Sequence, residues 1–243
     1  MAVYRLVVAY DGSGYRGYAK QDGHRTIQGE LDLAISTVLG TSISTAVAGR
    51  TDAGVHAHGQ VVSFEFEGDV DERRLLRSLN GMVGPEIAVK GIAVAAEGFN
   101  ARFSAKWRRY RYQIDQRATP DPLTRHSVWH VGKALDVGAM ETIATAYMGQ
   151  HDFTSFCKTV EGKSNVRRVD ESVLIQGDDV LEYWIQANAF CHQMVRSLVG
   201  FMYDVGRGYS DGKTVESVIA SKDRSSVASV APPHGLTLWG VGY

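Results

Sequence analysis

Cysteine and proline are scarce in this chain of 243 residues, which has two of the first and five of the second. Cys157 and Cys191 lie far apart and neither has a CxxC partner, which speaks against a disulfide framework or a zinc knuckle and fits a reducing compartment. Long apolar runs are missing too. No stretch approaches membrane-spanning length, and the first ten residues lack the basic region and apolar core of a leader, so a cytoplasmic protein without membrane contact is expected. Neither sign of charge is in excess: 26 Lys and Arg against 27 Asp and Glu give a net charge of −1. That balance excludes nucleic-acid binding by bulk positive charge, so any such surface has to be local. The phosphate-binding patterns G-x-x-x-x-G-K-[ST] and G-x-G-x-x-G after a strand are absent, as is G-x-S-x-G. Nucleotide cofactors and acyl hydrolysis therefore lack support, and no cofactor is expected. No low-complexity segment or linker rich in Pro and Ser divides the chain, whose 44% hydrophobic content can fill one large core or two small ones.

What is present is a succession of short periodic segments. Residues 3–10 are apolar and β-branched and end in the turn residues Asp11-Gly12-Ser13-Gly14, which predicts a first strand. The loop 15–25 interleaves Arg16, Lys20 and Arg25 with Tyr15 and Tyr18, a composition suited to phosphate contacts and base stacking, although a solvated glycine-rich loop has the same makeup. Thr26 can cap a helix with Ile27, Leu31, Ile35 and Val38 on one stripe, ended by Gly40. Strands at 43–47 and 61–66, a helix at 71–82 with Leu75, Leu76 and Leu79 inward, and a strand at 87–95 complete a β-α-β-β-α-β order. That is the ferredoxin-like unit, also used by RNA-recognition sheets. The second half repeats it loosely, with strands at 104–114, 127–131, 166–175, 180–187 and 236–243 and helices at 136–147 and 192–206. The expectation is an α+β fold of two ferredoxin-like halves, 1–104 and 105–243, with antiparallel sheets and a cleft between them.

Residues 49–60, Gly-Arg-Thr-Asp-Ala-Gly-Val-His-Ala-His-Gly-Gln, pack charge, glycine and histidine between two expected strands. Loops held by strands are where chemistry usually sits. In an extended segment Arg50 and Asp52 share a face and can pair, which would keep the carboxylate ionised as a nucleophile or general base requires. An ordinary ion pair at a loop entrance reads the same way. Gly54 and Gly59 open backbone conformations closed to other residues. His56 and His58 alternate in the loop, and with His192 they lack a recognised metal spacing, so no metal is expected; His56 orients the loop or contacts substrate.

Residues 102–112, Arg-Phe-Ser-Ala-Lys-Trp-Arg-Arg-Tyr-Arg-Tyr, are the densest basic and aromatic stretch and the best RNA-facing candidate, with Arg102, Lys106 and Arg108 for phosphates. As a strand it would put Tyr110, Tyr112 and Ile114 on one face and Trp107, Arg109 and Arg111 on the other. In the helix expected at 192–206, Arg196 shares a face with His192 and Gly200.

The run from Gly49 to His56 resembles the GRTDAGVH signature of the tRNA pseudouridine synthase A family. Arg108-Arg109-Tyr110-Arg111-Tyr112 is similar to its RxYxY motif, and Phe190 with Met194-Val195-Arg196 and Val199-Gly200 to its FxxxMVRxxVG segment. One departure is Tyr18-Ala19, where the family often carries Trp-Gln. The resemblance implies a pseudouridine synthase fold and a homodimer that isomerises uridine in the anticodon stem-loop of tRNA, at nucleotides 38 to 40, without a cofactor. It implies Asp52 as nucleophile, Arg50 or Arg196 as its electrostatic partner, and Tyr110 against the target base. A noncatalytic tRNA-binding protein using the same sheets is the alternative, and a glycosidase using Asp52 a third reading.

Overall fold

The computed structural model describes residues 1–159, 162–209 and 212–243. The chain folds into two compact units: Met1–Lys106 with Thr237–Tyr243, and Trp107–Leu236.

The first unit is built from β1 (Ala2–Tyr10), α1 (Ile27–Leu39), β2 (Ala46–Val47), β3 (His56–Phe66), α2 (Glu72–Val83) and β4 (Ile87–Val94). Its strands run in the order β4-β1-β3, with β2 also on β3, so the expected β-α-β-β-α-β order closes into one antiparallel sheet. Alternation in β1 buries Tyr4, Leu6, Val8 and Tyr10. Thr26 caps α1 by accepting from the Gly29 amide at 3.2 Å, and Ile27, Leu31, Ala34 and Ile35 are buried along it. Asp71 caps α2 in the same way, and Leu75, Leu79 and Val83 face the sheet. The Asn80 side chain then ties α2 to β4 by donating to the Val89 carbonyl at 2.9 Å and accepting from its amide at 2.8 Å.

Strand β3 begins five residues earlier than the sequence pattern suggests. His56 to Gln60, read as loop, are strand, because register decides where composition misleads: Val8 faces Gln60 and Tyr10 faces Ala57. The C-terminal strand Leu236–Gly242 also runs parallel to this end of β3, pairing Thr237 with His56 and Leu238 with Ala57. The strand expected at 43–47 shrinks to two residues.

The second unit holds β5 (Trp107–Asp115), β6 (Trp129–His130), α3 (Val137–Ala146), β7 (Gly149–Asp152), β8 (Val166–Gln176), β9 (Val180–Ala187), α4 (Met194–Gly206) and α5 (Val215–Ser221). Strand order is β5-β9-β8-β7, all antiparallel, with β6 parallel on β5. Three strands in succession follow α3, so the repeat of the first unit's element order is partial. Neither β7 nor α5 carries a periodic apolar signal of its own, since β7 reads Gly-Gln-His-Asp and α5 has seven residues. Tyr112, Tyr147, Tyr183, Phe153 and Phe156 fill the core, and tyrosine hydroxyls find partners there: Tyr147 donates to the Leu198 carbonyl at 3.1 Å, and the Tyr183 hydroxyl lies 2.8 Å from Ser172 Oγ.

The cysteines overturn their sequence reading. Cys157 and Cys191 form a disulfide with Cα atoms 5.7 Å apart, beside a backbone hydrogen bond from Lys158 to His192 of 2.9 Å. A separation of 34 residues gave no sign of this proximity, so cysteine usage no longer argues for a reducing compartment. No helix among the described residues is long and apolar enough to cross a membrane. Closing a loop of that length is worth about 4 kcal/mol on the chain-entropy account. Thiol titration of unfolded, unreduced protein should find no free thiol, and reduction should release two and lower the unfolding free energy by up to about that amount. Two thiols before reduction would refute the pairing.

Candidate functional site

Arg50, Thr51 and Asp52 lie in an irregular segment between β2 and β3. A turn follows, closed by the Val55 amide donating to the Asp52 carbonyl at 3.1 Å, with Gly54 at φ 78°. Asp52 is half-buried, whereas Thr51 before it is buried. Arg50 is exposed.

What holds the segment in place is the loop after β1. The Tyr18 amide donates to the Thr51 carbonyl at 3.0 Å, and Tyr10 Oη lies 2.8 Å from Thr51 Oγ1. Two glycines permit this approach. A Cβ on Gly12 would overlap the Val55 carbonyl, and one on Gly17, at φ 96°, would stand 3.0 Å from the Thr51 carbonyl. Tyr15 and Tyr18, expected as stacking platforms, are buried at 3% and 0% exposure. They build the wall behind the segment. Arg25 of the same loop packs over the Tyr15 ring at 4.4 Å and pairs with Glu30 and Glu86.

His56 follows at the start of β3 and is buried. Its Nδ1 accepts from the Gly12 amide at 3.1 Å, which puts the proton of the neutral ring on Nε2; Asp11 Oδ1 is 3.2 Å from the same nitrogen. Among the described residues Nε2 has no hydrogen-bond partner. His58, two positions on, is exposed and stacks on Trp239 at 4.3 Å and 9°. No group of three metal-ligating side chains occurs among the described residues.

The basic and aromatic stretch is divided between the two units. Arg102 and Lys106 belong to the first unit and are exposed, with the Asn100 side chain accepting from the Arg102 and Phe103 amides at 2.9 and 3.2 Å. From Trp107 onward the chain is β5 of the second unit, and its alternation follows the sequence expectation: Arg108, Tyr110, Tyr112 and Ile114 are buried, while Trp107, Arg109, Arg111 and Gln113 are half-buried. Arg109 pairs with Glu171 at 2.6 Å and lies over the Trp184 ring at 4.6 Å, and Arg111 pairs with Glu182 at 3.3 Å. Arg108 donates to the Asn188 carbonyl at 2.9 Å. Tyr110 meets Phe190 edge-on, with ring centroids 5.0 Å apart.

Arg196 lies in the first turn of α4, half-buried, and is tied to the segment before the last strand: its Nε donates to the Ala231 carbonyl at 2.8 Å, and its own carbonyl accepts from the Ala231 amide at 2.9 Å. His192 does not share its helix face. Gln193 takes a left-handed conformation at φ 64° and α4 starts after it, so His192 sits in the preceding turn.

Curated relatives align with this chain over nearly its whole length. The protein named tRNA pseudouridine synthase A from Streptomyces avermitilis is 44% identical over 98% of this chain and 87% of its own length. The chain belongs to the tRNA pseudouridine synthase A family. Members of the same name from Cutibacterium acnes and from a Caulobacter species are 42% and 38% identical, each over 100% of this chain and over 89% and 98% of their own. A family model described as tRNA pseudouridine synthase matches residues 143–243, which takes in Arg196 but not the Asp52 segment.

Gln60, buried in β3, escaped the sequence reading although it lies inside the segment singled out there. Its partners Tyr10 and Gly49 stand 50 and 11 residues away, and no local pattern announces such contacts. The dependence of the segment on Gly12 is testable by calorimetry and activity together. Gly12→Ala should lower stability by about 2 kcal/mol or more, as overpacking against backbone does, and reduce family activity at a temperature where the variant remains folded. Unchanged stability and activity would show that the two loops can separate freely.

Proposed function

We propose that this chain, as a pseudouridine synthase acting on tRNA, isomerises uridine in the anticodon stem-loop with Asp52 as nucleophile and works as a homodimer. The observation that carries the proposal is the match of Gly49 to His56 to the family signature, with its acid half-buried on a segment fixed from both sides.

The chemistry makes definite demands. The N1–C1′ bond of uridine breaks, the freed uracil rotates, a C5–C1′ bond forms, C5 loses its proton and N1 gains one. Atoms balance without water, oxidant or added group, so no second carboxylate is needed to activate a water as in glycoside hydrolysis. The base has to leave its stack to be reached. An ionised Asp52 can stabilise positive charge developing at the sugar and capture it at C1′, or add to the uracil ring; either route needs the carboxylate form. Its electrostatic partner is Arg50, two residues away in the signature, or Arg196, on its motif. Tyr110 is assigned to the target base on the RxYxY motif, with Phe190 bracing its ring edge-on. Arg102 and Lys106 are exposed cations suited to phosphates. His56 supports the loop and Arg108 the strand that carries Tyr110.

Asp52→Asn is expected to abolish pseudouridine formation on unmodified tRNA transcripts while leaving tRNA affinity within about threefold; retained turnover would end the nucleophile assignment, and release of free uracil by the native protein would indicate a glycosidase. Mapping the products should place pseudouridine in the anticodon stem-loop, and light scattering should give twice the 26.6 kDa of one chain. Modification confined to another arm, or a monomeric mass, would overturn those parts.

A further inference from the structure

The structure assigns a positioning role to the buried chain Gln60–Tyr10–Thr51, which we propose sets the placement of Asp52 for reaction. This inference rests on Asp52 being the nucleophile and adds the device that aims it.

Gln60 is completely buried, and Tyr10 and Thr51 are 4% and 8% exposed. The Gln60 amide nitrogen donates one proton to the Gly49 carbonyl at 2.7 Å and the other to Tyr10 Oη at 3.3 Å, while its oxygen accepts from the Val61 amide at 3.2 Å. Every polar atom of that side chain is thereby used. The phenol oxygen that accepts from Gln60 lies 2.8 Å from Thr51 Oγ1, a contact in which either hydroxyl can donate. Burial pushes the Tyr10 hydroxyl up to about 12, so it keeps its proton throughout the neutral range.

The two ends of the chain land where they matter. Gly49 is the residue before Arg50, and Thr51 is the residue before Asp52. Thr51 is held again through its carbonyl by the Tyr18 amide at 3.0 Å. Three strand residues, Tyr10 of β1 and Gln60 and Val61 of β3, thereby hold both flanks of Arg50 and, one peptide unit beyond Thr51, the Cα of Asp52. A buried, fully satisfied network is stiff, and displacement of a reacting group by about 1 Å can cost about a hundredfold in rate.

A network that only stabilised the fold would affect folding and not the reaction in the folded enzyme. The experiment is single-turnover kinetics on unmodified tRNA with Thr51→Val, Thr51→Ser, Tyr10→Phe and the double variant Tyr10→Phe with Thr51→Val, each checked for tRNA binding and thermal unfolding. Thr51→Val keeps the shape and loses the hydroxyl, and is expected to slow kcat by about 10–100-fold with KM and tRNA affinity within about twofold. Thr51→Ser, which retains the hydroxyl, should restore most of the rate. Tyr10→Phe should match Thr51→Val, and the double variant should be no slower than the slower single one, because one broken link disables the chain. Folded Thr51→Val and Tyr10→Phe within twofold of the native rate would overturn the inference, as would Thr51→Ser as slow as Thr51→Val. Should Thr51→Val fail to fold, Tyr10→Phe decides alone. Asp52→Asn run alongside separates the two claims: if it is active the nucleophile reading falls, and if it is inactive while Thr51→Val is unimpaired only the positioning role falls.

Discussion

The carbonyl of Thr51 has to come within 3.0 Å of the Tyr18 amide, and the chain accomplishes this by having no Cβ at Gly12 and Gly17. From that approach follow the burial of Tyr15 and Tyr18, the acceptor role of His56 toward Gly12, and the short reach from Tyr10 to Thr51. Thr51, the residue before Asp52, is held by main chain and side chain, and this fixes the backbone entering Asp52.

How much of this could be read from residues alone depends on range. The β-α-β-β-α-β order was legible because alternation and capping are local: Thr26, Asp71 and Asp136 each cap the helix expected after them. The alternation of β5, buried tyrosines against half-buried arginines, was legible for the same reason. The start of β3 was not, since His56 to Gln60 look like loop until Tyr10, Val8 and Thr237 pair with them. Nor was the fate of Tyr15 and Tyr18, whose flanking arginines and glycines suggested a surface. The Cys157–Cys191 bond and the Gln60 contacts belong to the same class, being facts of tertiary proximity without local sign. For the candidate site, the motif pointed to Asp52, while the contacts that fix its segment come from the loop after β1 and lie far away in sequence.

Charge economy shapes the second unit differently. With acidic and basic residues in balance, the arginines of β5 are shared out by strand alternation: those facing outward meet Glu171, Glu182 and the Trp184 ring, while Arg108 turns inward to the Asn188 carbonyl. A basic run in sequence becomes two separate sets of contacts in space. Its exposed cations are those before the strand starts, Arg102 and Lys106.

The last strand carries a consequence for biosynthesis. Residues 237–243 complete the first unit, with Thr237 against His56 and the Tyr243 hydroxyl donating to the Ala101 carbonyl at 2.8 Å, yet they are translated after all of Trp107–Leu236. During elongation the His56 end of β3 therefore waits as an uncovered edge while a complete second unit emerges from the ribosome, and such edges invite pairing with foreign strands. The strand that follows the Asp52 segment keeps that open edge until the last residues of the chain are made.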